Sequence, residues 1–232
     1  MAIALVAAPT VTEQGTSGTS TMTVSYPATV NAGEVLVLSA GTGDTTFTIS
    51  GWTQIGSTGT TTDAANMYYK IAVGNEGGTT FNITVLAGRA TVSIARYSGV
   101  DLVTPIDVTA STANGTTGSS LNVTGITTTK NGCMLISTFS GNSAQSLSYT
   151  QPTSFTLEAR NTNGSGAAIG KAMAYADLLQ GSAGATGTLT WSWSPSSGLD
   201  MRIILGALRP ATSIPNKSLV VPNMAVTRAS FY

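Results

Sequence analysis

The sequence predicts an all-β protein, an antiparallel β-sandwich of jelly-roll-like type, and three observations carry that expectation. Gly, Thr and Ser dominate the polar residues while the good helix formers Leu, Lys and Glu are sparse, a balance that favours strands and tight turns. Apolar residues alternate with polar ones in Thr80–Leu86 and Leu189–Trp193, and no segment keeps a 3.6-residue period over three turns. Short apolar runs are separated by Gly/Asn/Ser/Thr clusters at the spacing of sandwich strands. At 232 residues the chain has room for one large core or two small ones.

In chain order, the start (Met1-Ala-Ile-Ala-Leu-Val-Ala-Ala-Pro9) is apolar, but the first basic residue is Lys70, so it reads as a first strand rather than a signal peptide. Two segments, approximately 21–99 and 120–210, then follow one plan. Each opens on a glycine-containing turn and a hydrophobic run, Val35-Leu-Val-Leu38 in the first and Cys133-Met-Leu-Ile136 in the second. Each continues with a pair of strands holding a large aromatic, Trp52 or Phe155. A polar loop leads to Met67-Tyr-Tyr-Lys-Ile-Ala-Val73 or to Lys171-Ala-Met-Ala-Tyr-Ala-Asp177. An alternating strand and a mostly apolar one close each segment, ending near Arg96 and Arg209. Five correspondences in the same order point to an internal repeat.

Residues 1–210 are therefore expected to form one sandwich of two related halves, with two tandem β domains as the alternative. The connector, 100–119, would carry a turn capped by Asp101, an edge strand at Ile106 and Val108 beyond Pro105, and a polar loop over 111–120. After Pro210 the pattern breaks. Residues 211–232 contain Pro215 and Pro222, which favour an extended C-terminal arm, and Leu219, Val220, Val221, Phe231 and Tyr232 are its candidate assembly contacts.

The chemistry of the side chains argues against catalysis. The chain has no histidine, one cysteine, ten acids and ten bases, whereas proton transfer and nucleophilic attack near neutral pH draw mostly on His, Cys and clustered carboxylates. No spacing marks a pair of catalytic carboxylates, a Ser-x-x-Lys motif or a calcium loop, so turn capping is preferred over metal binding for Asp101 and Asp107. No cofactor is expected. The net charge of zero gives no general attraction to nucleic acid or to an anionic membrane, and no run is apolar enough to span a bilayer. Cys133 stands alone, so the fold rests on its core rather than on disulfides.

Trp191 and Trp193, two apart on one strand, share a face. Exposed, they would make a stacking platform for a sugar; buried, they would fill the core, and the apolar Leu189 on the same face favours the core. The joint between the halves, Tyr97-Ser-Gly-Val-Asp…Thr104-Pro-Ile-Asp-Val108, together with the closing Leu205-Gly-Ala-Leu-Arg-Pro210, resembles β-sandwich virion structural proteins of tailed bacteriophages. The resemblance implies a capsid decoration, fibre or tail-associated role without catalytic residues. Its partners would be other virion proteins and further copies of the chain, with a host-surface glycan as the alternative ligand. The implied location is the particle surface, after synthesis in the host cytoplasm.

Overall fold

A computed structural model describes residues 2–15, 20–42, 49–60, 63–85, 89–115, 118–142, 147–161, 171–197 and 200–212. The arm residues Leu219, Val220, Val221, Phe231 and Tyr232 lie outside the described residues. Among the described residues every regular element is a strand, and every pairing is antiparallel.

The first unit comprises β1 (Ala4–Gly15), β2 (Ser20–Ser25), β3 (Val35–Thr42), β4 (Thr53–Thr60), β5 (Asp63–Ile71), β6 (Thr80–Val85) and β7 (Arg89–Ser98). The second comprises β8 (Ile106–Gly115), β9 (Gly118–Val123), β10 (Thr127–Thr128), β11 (Cys133–Asn142), β12 (Ser148–Thr150), β13 (Thr156–Arg160), β14 (Lys171–Gln180), β15 (Gly184–Ala185), β16 (Leu189–Ser197) and β17 (Met201–Leu208). Each unit has a five-stranded inner sheet, in the order β1-β7-β3-β5-β4 or β8-β17-β11-β14-β13. Each also has a small outer sheet, β2-β6 in the first and β9-β16-β12 in the second.

Each unit encloses its own core between inner and outer sheet. Leu36, Leu38, Ala40, Val92 and Ile94 meet Met22, Val24, Ile83 and Val85 in the first. Leu135, Phe139, Ala174, Ile203 and Leu205 meet Val123, Tyr149, Trp191 and Trp193 in the second. The outer strands are covered on one side only, which is why they alternate: Ile83 and Val85 point in while Asn82 and Thr84 face out.

The central strands of the inner sheets are buried on both sides. Their second faces pack on each other through Val35, Val37, Met67 and Tyr97 from one unit and Met134, Ile136, Tyr175 and Ile204 from the other. β3 and β17 accordingly are buried along their whole length, as doubly covered strands are. The described residues thus form four main layers and three cores.

The two inner sheets meet through equivalent faces. β1 lies over β13 and β4 over β8, so the first strand of each order faces the last of the other. That reciprocity is the geometry of a two-fold interface, realised within one chain. Register supports it: Val35 pairs with Ile71 and Tyr97, and Met134 with Leu179 and Leu208. Counting back along β5 and β14 from these pairs makes Asp63 the counterpart of Lys171. The match by apolar pattern, which aligned Met67 with Lys171, is thus shifted, because pairing with β3 and β11 fixes the register.

Local chemistry accounts for the turns before β3 and β11. Gly33 and Gly132 have φ of +82° and +77°, a region where only glycine is unstrained. Beside Gly33, the Glu34 carboxylate accepts from Asn31 N and Nδ2 and takes a paired contact from Arg96, with Nε at 2.8 Å and Nη2 at 2.9 Å. Burial alone would raise the Glu34 carboxyl, but the hydrogen bonds from Arg96 and Asn31 outweigh it and hold the group below its ordinary value.

The first strand expected at the chain start is present as β1, and one sequence expectation changes here. The polar loop expected at 111–120 is mostly strand, with β8 running to Gly115 and β9 starting at Gly118. β8 pairs with β17 as the sheet edge, and its Thr/Ser/Ala composition reflects partial exposure rather than lack of structure.

Candidate functional site

Trp191 and Trp193 occupy the second core. Trp191 is fully enclosed, and its indole Nε1 donates to Ser137 Oγ at 2.9 Å. Trp193 is 4% exposed, and both rings lie against Phe139, at 5.8 and 5.2 Å between centroids. A stacking platform needs an open ring face, so this pair provides none for a sugar. Phe155 is buried in the same core, and Trp52 stacks on Tyr26 in the first, 6.2 Å away with ring planes 11° apart.

The side chains with titratable chemistry gather at three places. At one pole, where the connector meets the end of β17, a cavity of about 430 Å³ is lined by Asp101, Thr104, Lys130, Asn131, Arg209 and Thr212, among others. Its walls are braced by backbone bonds from Asp101 N to Arg209 O, Arg209 N to Pro105 O and Ala211 N to Gly99 O, each 2.8 Å. Asp101 caps its turn as expected, accepting from the N–H groups of Val103 and Thr104, and these bonds hold its carboxyl below the ordinary range. Asp107 accepts from Thr129 N and Oγ1 at 2.6 and 2.7 Å and lies 4.0 Å from Arg209 Nε. Arg209 donates to Thr104 Oγ1 at 3.2 Å, whereas the Lys130 ammonium has no partner among the described residues.

The second place lies between the inner sheets. Tyr97 OH and Tyr175 OH are 2.8 Å apart, and Tyr97 donates to Asp177 Oδ2 at 2.6 Å. Burial raises the Asp177 carboxyl more than its hydrogen bonds from Tyr97 and Glu158 lower it. Burial raises Glu158 as well, with the Asp177 charge adding to the effect. Both carboxyls beside the tyrosines therefore hold their protons to higher pH than ordinary carboxylates do.

The third place is at the opposite end of the same interface, where Asp63, Lys171 and Arg202 are all but sealed from solvent. Lys171 Nζ lies 2.8 Å from Asp63 Oδ1, Arg202 Nε 3.7 Å from Asp63 Oδ2, and Arg202 Nη2 3.4 Å from Asp200 Oδ2. Asp200 and Arg202 stand two positions apart, so their pairing is a local neighbour relation. The pairing of Asp63 with Lys171 is not, since 108 positions separate them. The available signal was a charged residue opening a mostly apolar strand at the same register in both units.

Among the described residues no group of three or more Cys, Asp or Glu is placed to hold a metal ion. Cys133 is buried, donates to Lys130 O, and has its thiol pushed up to about 11, chiefly by burial and then by the nearby Asp107. Comparison of the chain with protein-family models, with curated proteins and with solved structures returned no match.

Proposed function

We propose that this protein is a non-enzymatic structural subunit of a bacteriophage particle, an outer-surface decoration or fibre-type component that works by packing against its neighbours. The observation that carries the reading is where the fold spends its charge. Among the described residues, Glu34, Asp63, Glu76, Asp107 and Asp200 meet Lys70, Arg96, Lys171, Arg202 and Arg209 in ion pairs. The outward face of β2 and β6 is left with Thr21, Thr23, Asn82 and Thr84, and that of β9 and β16 with Ser120, Asn122 and Thr190. Val73, Leu102, Val103 and Leu179 add exposed apolar surface. Contacts through hydroxyls, amides and apolar groups depend little on pH and salt, which suits a particle that must survive outside a cell. Three cores in one chain make a stiff block suited to bearing load.

Native mass spectrometry of the chain, alone and with capsid or tail components, tests the proposal. A homo-oligomer or a stoichiometric complex is expected; a monomer that joins neither component rejects it. The glycan reading moves to the polar cavity, where Lys130 and Arg209 outnumber the Asp101 carboxylate and stand beside Asn131 and two threonines, a lining that would suit an acidic sugar. Calorimetric titration with glucuronate and with glucose separates the readings: heat from the uronate alone favours the cavity, and heat from neither removes it.

A further inference from the structure

We propose that Lys171 and Asp63 join in an intramolecular isopeptide bond that locks the two units together. The reacting groups are already in contact, with the amine nitrogen 2.8 Å from Oδ1 of the carboxyl it would attack, and neither residue is open to water, at 2% and 0% side-chain exposure. Both are held from behind. Lys171 O accepts from Thr91 Oγ1 at 3.0 Å and from Asn161 Nδ2 at 2.7 Å. Asp63 opens β5 directly against the backbone of β4, where a Cβ on Gly59 would collide with Asp63 O. Fixed neighbours in a dry site are the condition under which a slow bimolecular reaction becomes a feasible unimolecular one.

Burial favours the reactive forms of both groups. It raises the Asp63 carboxyl despite the nearby Lys171 and Arg202 charges, and lowers the Lys171 ammonium despite Asp63. The pair thus tends toward a neutral amine beside a neutral carboxylic acid. The nitrogen lone pair attacks Asp63 Cγ and forms the Cγ–Nζ bond. Negative charge develops on Oδ2, which makes no hydrogen bond among the described residues and faces Arg202 Nε, itself without one. A proton from nitrogen passes to Oδ1, the Cγ–Oδ1 bond breaks, and one water leaves. No oxidant or co-reactant is required, and the products are an amide and water.

Such a bond suits its place. It ties the first residue of β5 to the first of β14, matching register positions in the two units, near Gly41, where an added Cβ would collide with Ser140 of the facing sheet. It would carry tension from one unit to the other without loading the third core. The inference does not depend on the phage assignment.

Intact mass spectrometry of the full-length chain under denaturing conditions decides it. The expected mass is one water below that of the sequence, and Lys171→Met is expected at full mass. After trypsin, the bond would appear as a species joining residues 1–70 to residues 161–202, uncut at the modified lysine. A wild-type chain at full mass overturns the proposal. So does a water loss that persists in Lys171→Met or that tandem spectra place elsewhere. Since the wild-type mass is decisive alone, poor folding of the variant does not rescue the idea.

Discussion

Ile204 and Gly56 test whether the two units are one packed body. Ile204, on β17 of the second unit, is fully buried in the third core, and a Cβ on Gly56 of β4 would stand 3.0 Å from its Cγ2 and 3.2 Å from Ala110 Cβ. Ile204→Ala removes three carbons, about 2.4 kcal/mol at ~0.8 kcal/mol each. With the cavity left behind, the cost is about 3–4 kcal/mol. Gly56→Ala forces a methyl inside the optimal carbon separation of about 3.5–4.0 Å. Overpacking of about 1–2 kcal/mol is partly offset by about 0.5 kcal/mol from a stiffer unfolded chain, for a net cost of roughly 1 kcal/mol. In the double variant the new methyl enters the vacated space and becomes neutral or slightly stabilising. The coupling between the sites should therefore reach about 1–2 kcal/mol. Equilibrium urea unfolding of the four proteins, followed by tryptophan fluorescence, measures it. Additivity within about 0.5 kcal/mol, the behaviour of sites that do not touch, would refute the packing of β4 on β17.

Other outcomes follow from the same contacts. Trp191→Phe keeps most of the apolar filling but strands Ser137 Oγ, for a loss of about 1–2 kcal/mol in the same denaturant assay. Cys133 should resist a thiol-directed disulfide reagent in the native protein at pH 8 and react fully once unfolded; rapid native labelling would contradict its burial. Asp177 and Glu158 have folded values raised above the ordinary carboxylate range. Their contribution to stability is therefore complete below that range and is lost as pH rises through the raised folded values. Asp177→Asn keeps an acceptor for Tyr97 and should flatten that fall in melting temperature, and an unchanged pH profile would count against the raised Asp177 value. Glu34 has the opposite sign, so Glu34→Gln should lose its penalty relative to wild type as pH drops below the ordinary glutamate range.

Much of the strand content was legible because buried strands and glycine turns leave local marks. Val35–Leu38 and Ile203–Leu205 are too apolar to be anything but interior, and the alternation around Ile83 and Trp191 matches the one-sided outer sheets. The third core was not legible. In β14, Ala172, Ala174 and Ala176 face one core while Met173 and Tyr175 face another, and sequence alternation cannot say that both faces are covered. The start of β8 was legible as an edge strand at Ile106 and Val108, but its second half was misread, since an edge strand carrying Thr112 and Asn114 looks like a loop. The ion cluster left no spacing signal because its members come from β5, β14 and β17. The cavity pole was half visible: Asp101 was recognisable as a cap, whereas Lys130 and Arg209 become neighbours only when the strand ends come together.

The most direct test of the structural role is salt washing of purified particles followed by cryo-electron microscopy. If neighbours are bound through uncharged and apolar surface, four-layer density of this chain should remain at stoichiometric occupancy on the particle after washing in molar salt. Particles that never carry the chain, or that shed it as ionic strength rises, would contradict the assignment.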